Sequence, residues 1–235
     1  MSVTGVDKVY DGGTNATVTL SDNRLSGDVF SDTYTTASFA DANVGSNKTV
    51  SVSGIGISGI DATNYTANAT ASTTANITLG SLTISADNKA KTAGMPNPPL
   101  TASYVGFVGG DGTNNALTTQ VTLTTTATTN SPVGTYPITA SGAVAPNYTI
   151  SYNGGTLTVV AVPQVNTISV ISNQFIFSFP TLSSQKYQVE FKDDMVAPTW
   201  TNLGGQLNGT GSSITITNAI TGPKRFFQIE VIPGQ

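Results

Sequence analysis

Apolar residues recur along this chain at every second position, in short runs broken by Gly, Asn and Asp. Val50, Val52, Ile55 and Ile57 fall at or near alternate positions, as do Leu82 and Ile84, then Leu157, Val159 and Ala161, then Tyr187, Val189 and Phe191. A period of two predicts strands that bury one face. Nowhere do apolar residues return at i, i+3, i+4 and i+7 over a helix length, so no helix of consequence is predicted. The sharpest local pattern runs from Asn147 to Val160, where two alternating stretches flank Asn153-Gly154-Gly155. That turn sequence predicts a β-hairpin, because Asn and Gly tolerate positive φ. Strands this short, with turns this dense, predict an all-β chain of sandwiches or barrels.

The pattern is written twice. Residues 43–54, NVGSNKTVSVSG, return as residues 131–142, SPVGTYPITASG, with Val44-Gly45 aligned on Val133-Gly134. Each copy leads to Asn-Tyr-Thr, at Asn64–Thr66 and Asn147–Thr149, and upstream Lys8 sits opposite Lys89. A period of roughly 80 residues is one small β-domain and not a solenoid turn. The expected organisation is three small immunoglobulin- or fibronectin-like β-sandwich domains in tandem, at residues 1–80, 81–161 and 162–235. The strand-like joints ITLGSLTI and VVAVPQV predict a stiff, elongated rod.

Composition narrows the function. Charged residues make up 9%, the net charge is −4, and His and Cys are absent. Disordered chains are usually highly charged, whereas this one is rich in the Thr, Val and Ile that suit a half-buried pleated surface. Nine Lys and Arg over the whole chain argue against nucleic acid. No apolar run approaches the roughly 20 residues of a membrane span, so no membrane insertion is expected. The start lacks a basic region followed by an apolar one, and strand-like sequence follows Met1 at once, which fits either a piece of a longer chain or a natural start; a monomeric fragment of a longer chain is the expectation. Lack of Cys fits either an extracellular protein with adequate cores or a cytosolic one. With no His, no Cys and two strand glutamates, Glu190 and Glu230, no catalytic residues, metal or cofactor are expected, and the chain is read as not an enzyme.

Specific motifs sharpen this. Lys8-Val9-Tyr10-Asp11-Gly12, the Asn43-Val44-Gly45 turn and Asn64-Tyr65-Thr66 resemble the YDG domain of bacterial surface proteins. Ala86-Asp87-Asn88-Lys89, Asn97-Pro98, Val133-Gly134-x-Tyr136 and Asn147-Tyr148-Thr149 resemble the MBG family of repeats. Ala93 departs from that family, which usually carries Tyr or a similar aromatic there. The last segment has Trp200-Thr201-Asn202-Leu203 and Arg225-Phe226-Phe227-x-Ile229, and is similar to a small β-domain at the end of long secreted bacterial proteins. These resemblances imply structural stalk modules of a large, extracellular, adhesin-like bacterial surface or secreted protein. They imply no catalytic residues.

Several residues are candidates for chemistry. Trp200, flanked by Thr201 and Asn202, is either a core or corner residue or a platform on which a sugar ring stacks. The second reading would make the C-terminal domain a reader of polysaccharide or another cell-surface component, even as an appendage of a secreted hydrolase. Lys8 and Lys89 are candidates for a crosslink to a strand-end Asn, which needs a desolvated, neutral amine and a proton shuttle. The alternative is two solvated edge-strand lysines. Residues 108–116, VGGDGTNNA, carry one carboxylate, Asp111, and read as a turn more than as a calcium loop. The adjacent Asp193 and Asp194 read as solvated. Tyr65 and Tyr148 are expected to pack in the core with the hydroxyl near a strand end.

Overall fold

The structure, a computed structural model, describes residues 1–183 and 185–232. It is all-β. Among the described residues the one helical element is a single 3-10 turn at Ala62–Asn64. The chain forms two compact units: Met1–Ile84 with Tyr104–Thr122 and Ser141–Tyr152, and Ser85–Ser103 with Leu123–Ala140 and Asn153–Gln235.

The first unit is organised by the long antiparallel strands Gly45–Ser53 and Thr70–Thr78, in which Val50 faces Thr73 and Val52 faces Ala71. Thr36–Phe39 pairs on the other edge of Gly45–Ser53, and the short strand Lys8–Val9 runs parallel to Thr70–Thr78. The alternation does what period two requires: Val50, Val52 and Ile77 are at most 1% exposed, while Thr49 and Ser51 lie outside the core. Burying each such side chain contributes about 1.5–3 kcal/mol. Two-stranded ribbons, Ser2–Val6 with Thr17–Ser21 and Ser31–Thr33 with Gly56–Ser58, flank this sheet in the sequence. Leu82 and Ile84, at the centre of strand Gly80–Ala86, have no exposed surface.

The second unit contains a four-stranded sheet ordered Lys89–Thr92, Gly155–Val160, Gly134–Ser141, Thr122–Thr125. Its first pair is parallel, with Lys91 opposite Val159. Three further strands, Thr167–Ile171, Gln174–Pro180 and Ser213–Ala219, pair antiparallel. Strand Lys186–Lys192 carries Phe226–Ile232 in register over its whole length. Here the core is Phe177, Phe179, Tyr187, Val189 and Val231, with Val160.

The structure corrects the hairpin expected at Asn153-Gly154-Gly155. Tyr148–Asn153 pairs in a sheet with Gly80–Ala86, whereas Gly155–Val160 lies in another, between Lys89–Thr92 and Gly134–Ser141. Neither glycine adopts positive φ. Gly155 is there for close approach: a Cβ on it would stand 2.5 Å from the Ala86 carbonyl oxygen. Ala161 also differs from its predicted place. It is exposed, and Val160 at 4% is buried beside Val159.

Candidate functional site

The recurring Asn-Tyr-Thr tyrosines close two copies of one arrangement. The Tyr65 hydroxyl accepts from the Leu25 N–H at 2.9 Å and donates to the Asp28 carboxylate. The Tyr148 hydroxyl accepts from the Val108 N–H at 3.1 Å and donates to the Asp111 carboxylate at 2.6 Å. The sequence separations match, 40 residues to the N–H donor and 37 to the carboxylate in both copies. In each, the Asp N–H turns back onto the carbonyl three residues earlier, Leu25 or Val108. In each, an aromatic beside the turn packs on the tyrosine: Phe30 at 4.9 Å from Tyr65, Phe107 at 5.8 Å from Tyr148. The signal was present in the sequence as an apolar-x-Gly-Asp string, Leu25-Ser26-Gly27-Asp28 and Val108-Gly109-Gly110-Asp111. Gly27 and Gly110 both have positive φ, which reserves those positions for glycine. Asp111 is therefore the acceptor of a tyrosine clasp.

The second clasp holds one more residue. Tyr10 donates its hydroxyl to the same Asp111 oxygen at 3.0 Å and stands edge-on to Tyr148 at 5.3 Å. Gly12 packs backbone to backbone on Gly109, so that a Cβ on Gly12 would lie 2.7 Å from the Gly109 Cα. Val44 N–H donates to the Asn147 side chain at 3.0 Å. The Tyr10-Asp11-Gly12 and Asn43-Val44 motifs thus both pack on the second clasp within the first unit.

Burial, and then the Asp111 carboxylate, push the Tyr148 phenol up to about 12. The same causes raise Tyr10, and its hydrogen bond to Asp28 raises Tyr65. A phenol that holds its proton more tightly when folded favours the fold fully below the unfolded value near 10. That contribution is lost as the pH climbs from 10 through 12, because the unfolded chain then releases the proton first. Unfolding midpoints measured from pH 8 to 12 are expected to fall steeply above 10, and less steeply in Tyr148→Phe. An equal fall in both would remove Tyr148 as the cause.

The candidate lysines are placed as follows. The Lys8 ammonium donates to Asp11 at 2.8 Å and to the carbonyls of Gly13 and Asn15 at 2.7 and 3.0 Å, above the Phe39 ring. That carboxylate is held below its usual range by Lys8 and the Gly13 N–H. Lys89 starts strand Lys89–Thr92 and is half-buried. The register makes Lys91 the counterpart of Lys8. Lys8 lies opposite Ile77 with Tyr10 N–H bonded to Thr78 at 2.9 Å, and Lys91 lies opposite Val159 with Ala93 N–H bonded to Val160 at 2.8 Å. Lys91 is 4% exposed and donates to the carbonyls of Met95 and Thr128.

Trp200 is half-buried, with the Lys192 ammonium 4.9 Å from its ring centre. It lines a cavity of about 720 Å³ with Phe175, Phe226, Phe227, Ile168 and Met195. Thr201 and Asn202 are exposed on a two-residue strand paired with Glu190–Phe191 and are not part of that wall. Arg225 also borders the cavity. Its guanidinium grips Asp193 through two bonds of 2.6 and 3.0 Å, which holds that carboxyl below its usual range. Asp194 is exposed, 3.9 Å from Lys224. Among the described residues no three metal-ligating side chains gather.

The all-β architecture and the duplicated clasp mark a protein built of repeat-type structural β-domains. Residues 1–75 match the family model of the YDG domain, and residues 82–158 match that of the MBG domain (YGX type). The chain therefore carries a YDG domain followed in tandem by an MBG domain. A search of curated proteins returned no match.

Proposed function

We propose that this chain is a non-catalytic spacer module of a large, extracellular, adhesin-like bacterial surface or secreted protein. In this reading, residues 1–80, 81–161 and 162–235 are three successive sandwich-type domains. The observation that carries the proposal is the duplicated clasp. What the repeat keeps at matched spacing is a packing device, a tyrosine closing an apolar-x-Gly-Asp turn. A repeat kept for chemistry would be expected to keep a reactive or ligand-facing group instead.

One observation favours a second reading, in which residues 162–235 bind carbohydrate. Trp200 stands in the wall of a concave aromatic surface, the kind of wall against which a pyranose ring stacks. A pull-down on soluble and insoluble polysaccharides separates the two. The spacer reading expects no retention of the chain on any of them. Retention lost in Trp200→Ala would instead make the C-terminal segment a glycan reader, with the two repeats as its support.

A further inference from the structure

Every residue of strand Thr167–Ile171 is exposed, although the strand is largely apolar. Ile168, Val170 and Ile171 are 66%, 62% and 58% exposed. The register gives the reason. Ile168 stands opposite Phe177 and Val170 opposite Phe175, so these four side chains share one face of the sheet. Phe177 is buried in the core, and Phe175 stacks on Phe227 with ring centres 5.2 Å apart. The cover over the core ends there, and the apolar face runs on past it across the edge strand. The other edge of the same sheet, Ser213–Ala219, is built differently: Ile214 and Ile216 pack on the core, and Ser213, Thr215 and Thr217 are exposed.

The edge is open along its backbone as well. Ser172 and Asn173, at φ of 50° and 63°, form the two-residue turn that joins it to Gln174–Pro180. Ile171 and Gln174 close that turn as a hydrogen-bonded pair, and alternation makes Ser169 with Ile176 the next such pair. The N–H and C=O of Ile168 and Val170 therefore point away from the sheet, and among the described residues no strand pairs with them. Edge strands are commonly blunted by a charge or a proline. The edge strands Lys8–Val9 and Lys89–Thr92 carry lysines. Thr167–Ile171 carries neither charge nor proline, and no Asp, Glu, Lys or Arg occurs between Asp111 and Lys186.

A second copy of the same strand fits this edge. Turned about a two-fold axis at Ser169, the two strands run antiparallel, with Ile168 opposite Val170 of the second copy and Val170 opposite its Ile168. These are the residues whose backbone groups face outward, so each pair exchanges both its hydrogen bonds. Other registers fit worse. An axis at Ile168 sets Val170 against Asn166, whose N–H is already given to Ser178 at 2.7 Å, and an axis at Val170 sets Ile168 against Ser172 in the turn. The two-fold also keeps the apolar faces of both copies on one side, where Ile168 and Val170 of each cover the other's. Charge favours a like strand. A neutral edge offers an acidic or basic partner nothing to pair with, and nothing on it repels its own copy.

We propose that Thr167–Ile171 is a self-association edge, along which two copies of the chain join their sheets antiparallel about Ser169. The seam is small beside the roughly 800 Å² per partner of a standard interface, so a dissociation constant on the order of 100 μM is expected. Ser169→Cys tests the register, because the chain has no other cysteine. Across the axis the two Cα atoms of residue 169 form a non-hydrogen-bonded pair about 4.5 Å apart, within disulfide reach. Those of residue 167 lie about 14 Å apart and are out of reach. In a glutathione redox buffer, Ser169→Cys is expected to form a covalent dimer about tenfold faster than Thr167→Cys, and adding Ile168→Lys is expected to slow it by a similar factor by placing a charge in the seam. Positions 167, 168 and 169 are all exposed, so the substitutions leave the core untouched. Velocity sedimentation of the unsubstituted chain should show a dimer that grows with concentration and nothing larger, because a two-fold contact closes on itself. The proposal is overturned by equal crosslinking at 167 and 169, by no crosslink at 169, by a rate indifferent to Ile168→Lys, or by sedimentation as a monomer throughout or as an open-ended series of oligomers.

Discussion

Tyr148→Ala is expected to destabilise the first unit by about 4 kcal/mol, the range for deleting a large buried aromatic. The residue is 5% exposed and carries more than its own area. Its ring stands edge-on to both Tyr10 and Phe107, at 5.3 and 5.8 Å. Its hydroxyl satisfies the Val108 N–H and shares Asp111 with Tyr10. Truncation would leave a cavity and an unpaired N–H at once. Tyr148→Phe keeps the ring and drops only the hydroxyl, so a loss of about 1–2 kcal/mol is expected. Near-ultraviolet circular dichroism of the tyrosines during urea unfolding measures both, and the exchange rate of the Val108 amide shows whether the turn has opened. A Tyr148→Ala chain within 1 kcal/mol of the parent would mean that the clasp is incidental to stability.

Phe179→Ala is expected to cost the second unit a similar amount, about 3–5 kcal/mol. Phe179 has no exposed surface and packs against Tyr187 with ring centres 5.6 Å apart. The Tyr187 hydroxyl in turn holds the Leu182 N–H at 2.9 Å. Trp200, the single tryptophan, lies in this unit, so its fluorescence follows the unit's unfolding directly. With a slope of about 2 kcal/mol per molar urea, the midpoint should fall by about 2 M. Val170→Ala serves as the contrast. Val170 is 62% exposed, and its replacement should change stability by less than about 0.5 kcal/mol. If the two substitutions moved the midpoint equally, the burial assigned to Phe179 would be wrong.

Alternation named the buried faces well. Spacing alone points Leu82, Ile84, Leu157 and Val159 inward, and all four have no exposed surface. It failed where the question was which strand lies beside which. Asn153-Gly154-Gly155 has hairpin composition, yet the chain there leaves one sheet for another, and Gly155 serves a close approach to Ala86. Lysine pairing failed for a related reason. Aligning Lys8 with Lys89 instead of Lys91 is an offset of two, which leaves an alternating pattern unchanged.

The sequence by itself determined the all-β class, the duplicated module and the inward faces of its strands, because a two-residue period and the glycine-marked turns are local properties of the chain. Only the tertiary structure decided that Tyr65 and Tyr148 each close an apolar-x-Gly-Asp turn some 40 residues away, and that Tyr10 joins the second of these. Those facts depend on strand partners and register. Both are set by the packing of many side chains at once, and no local periodicity encodes them.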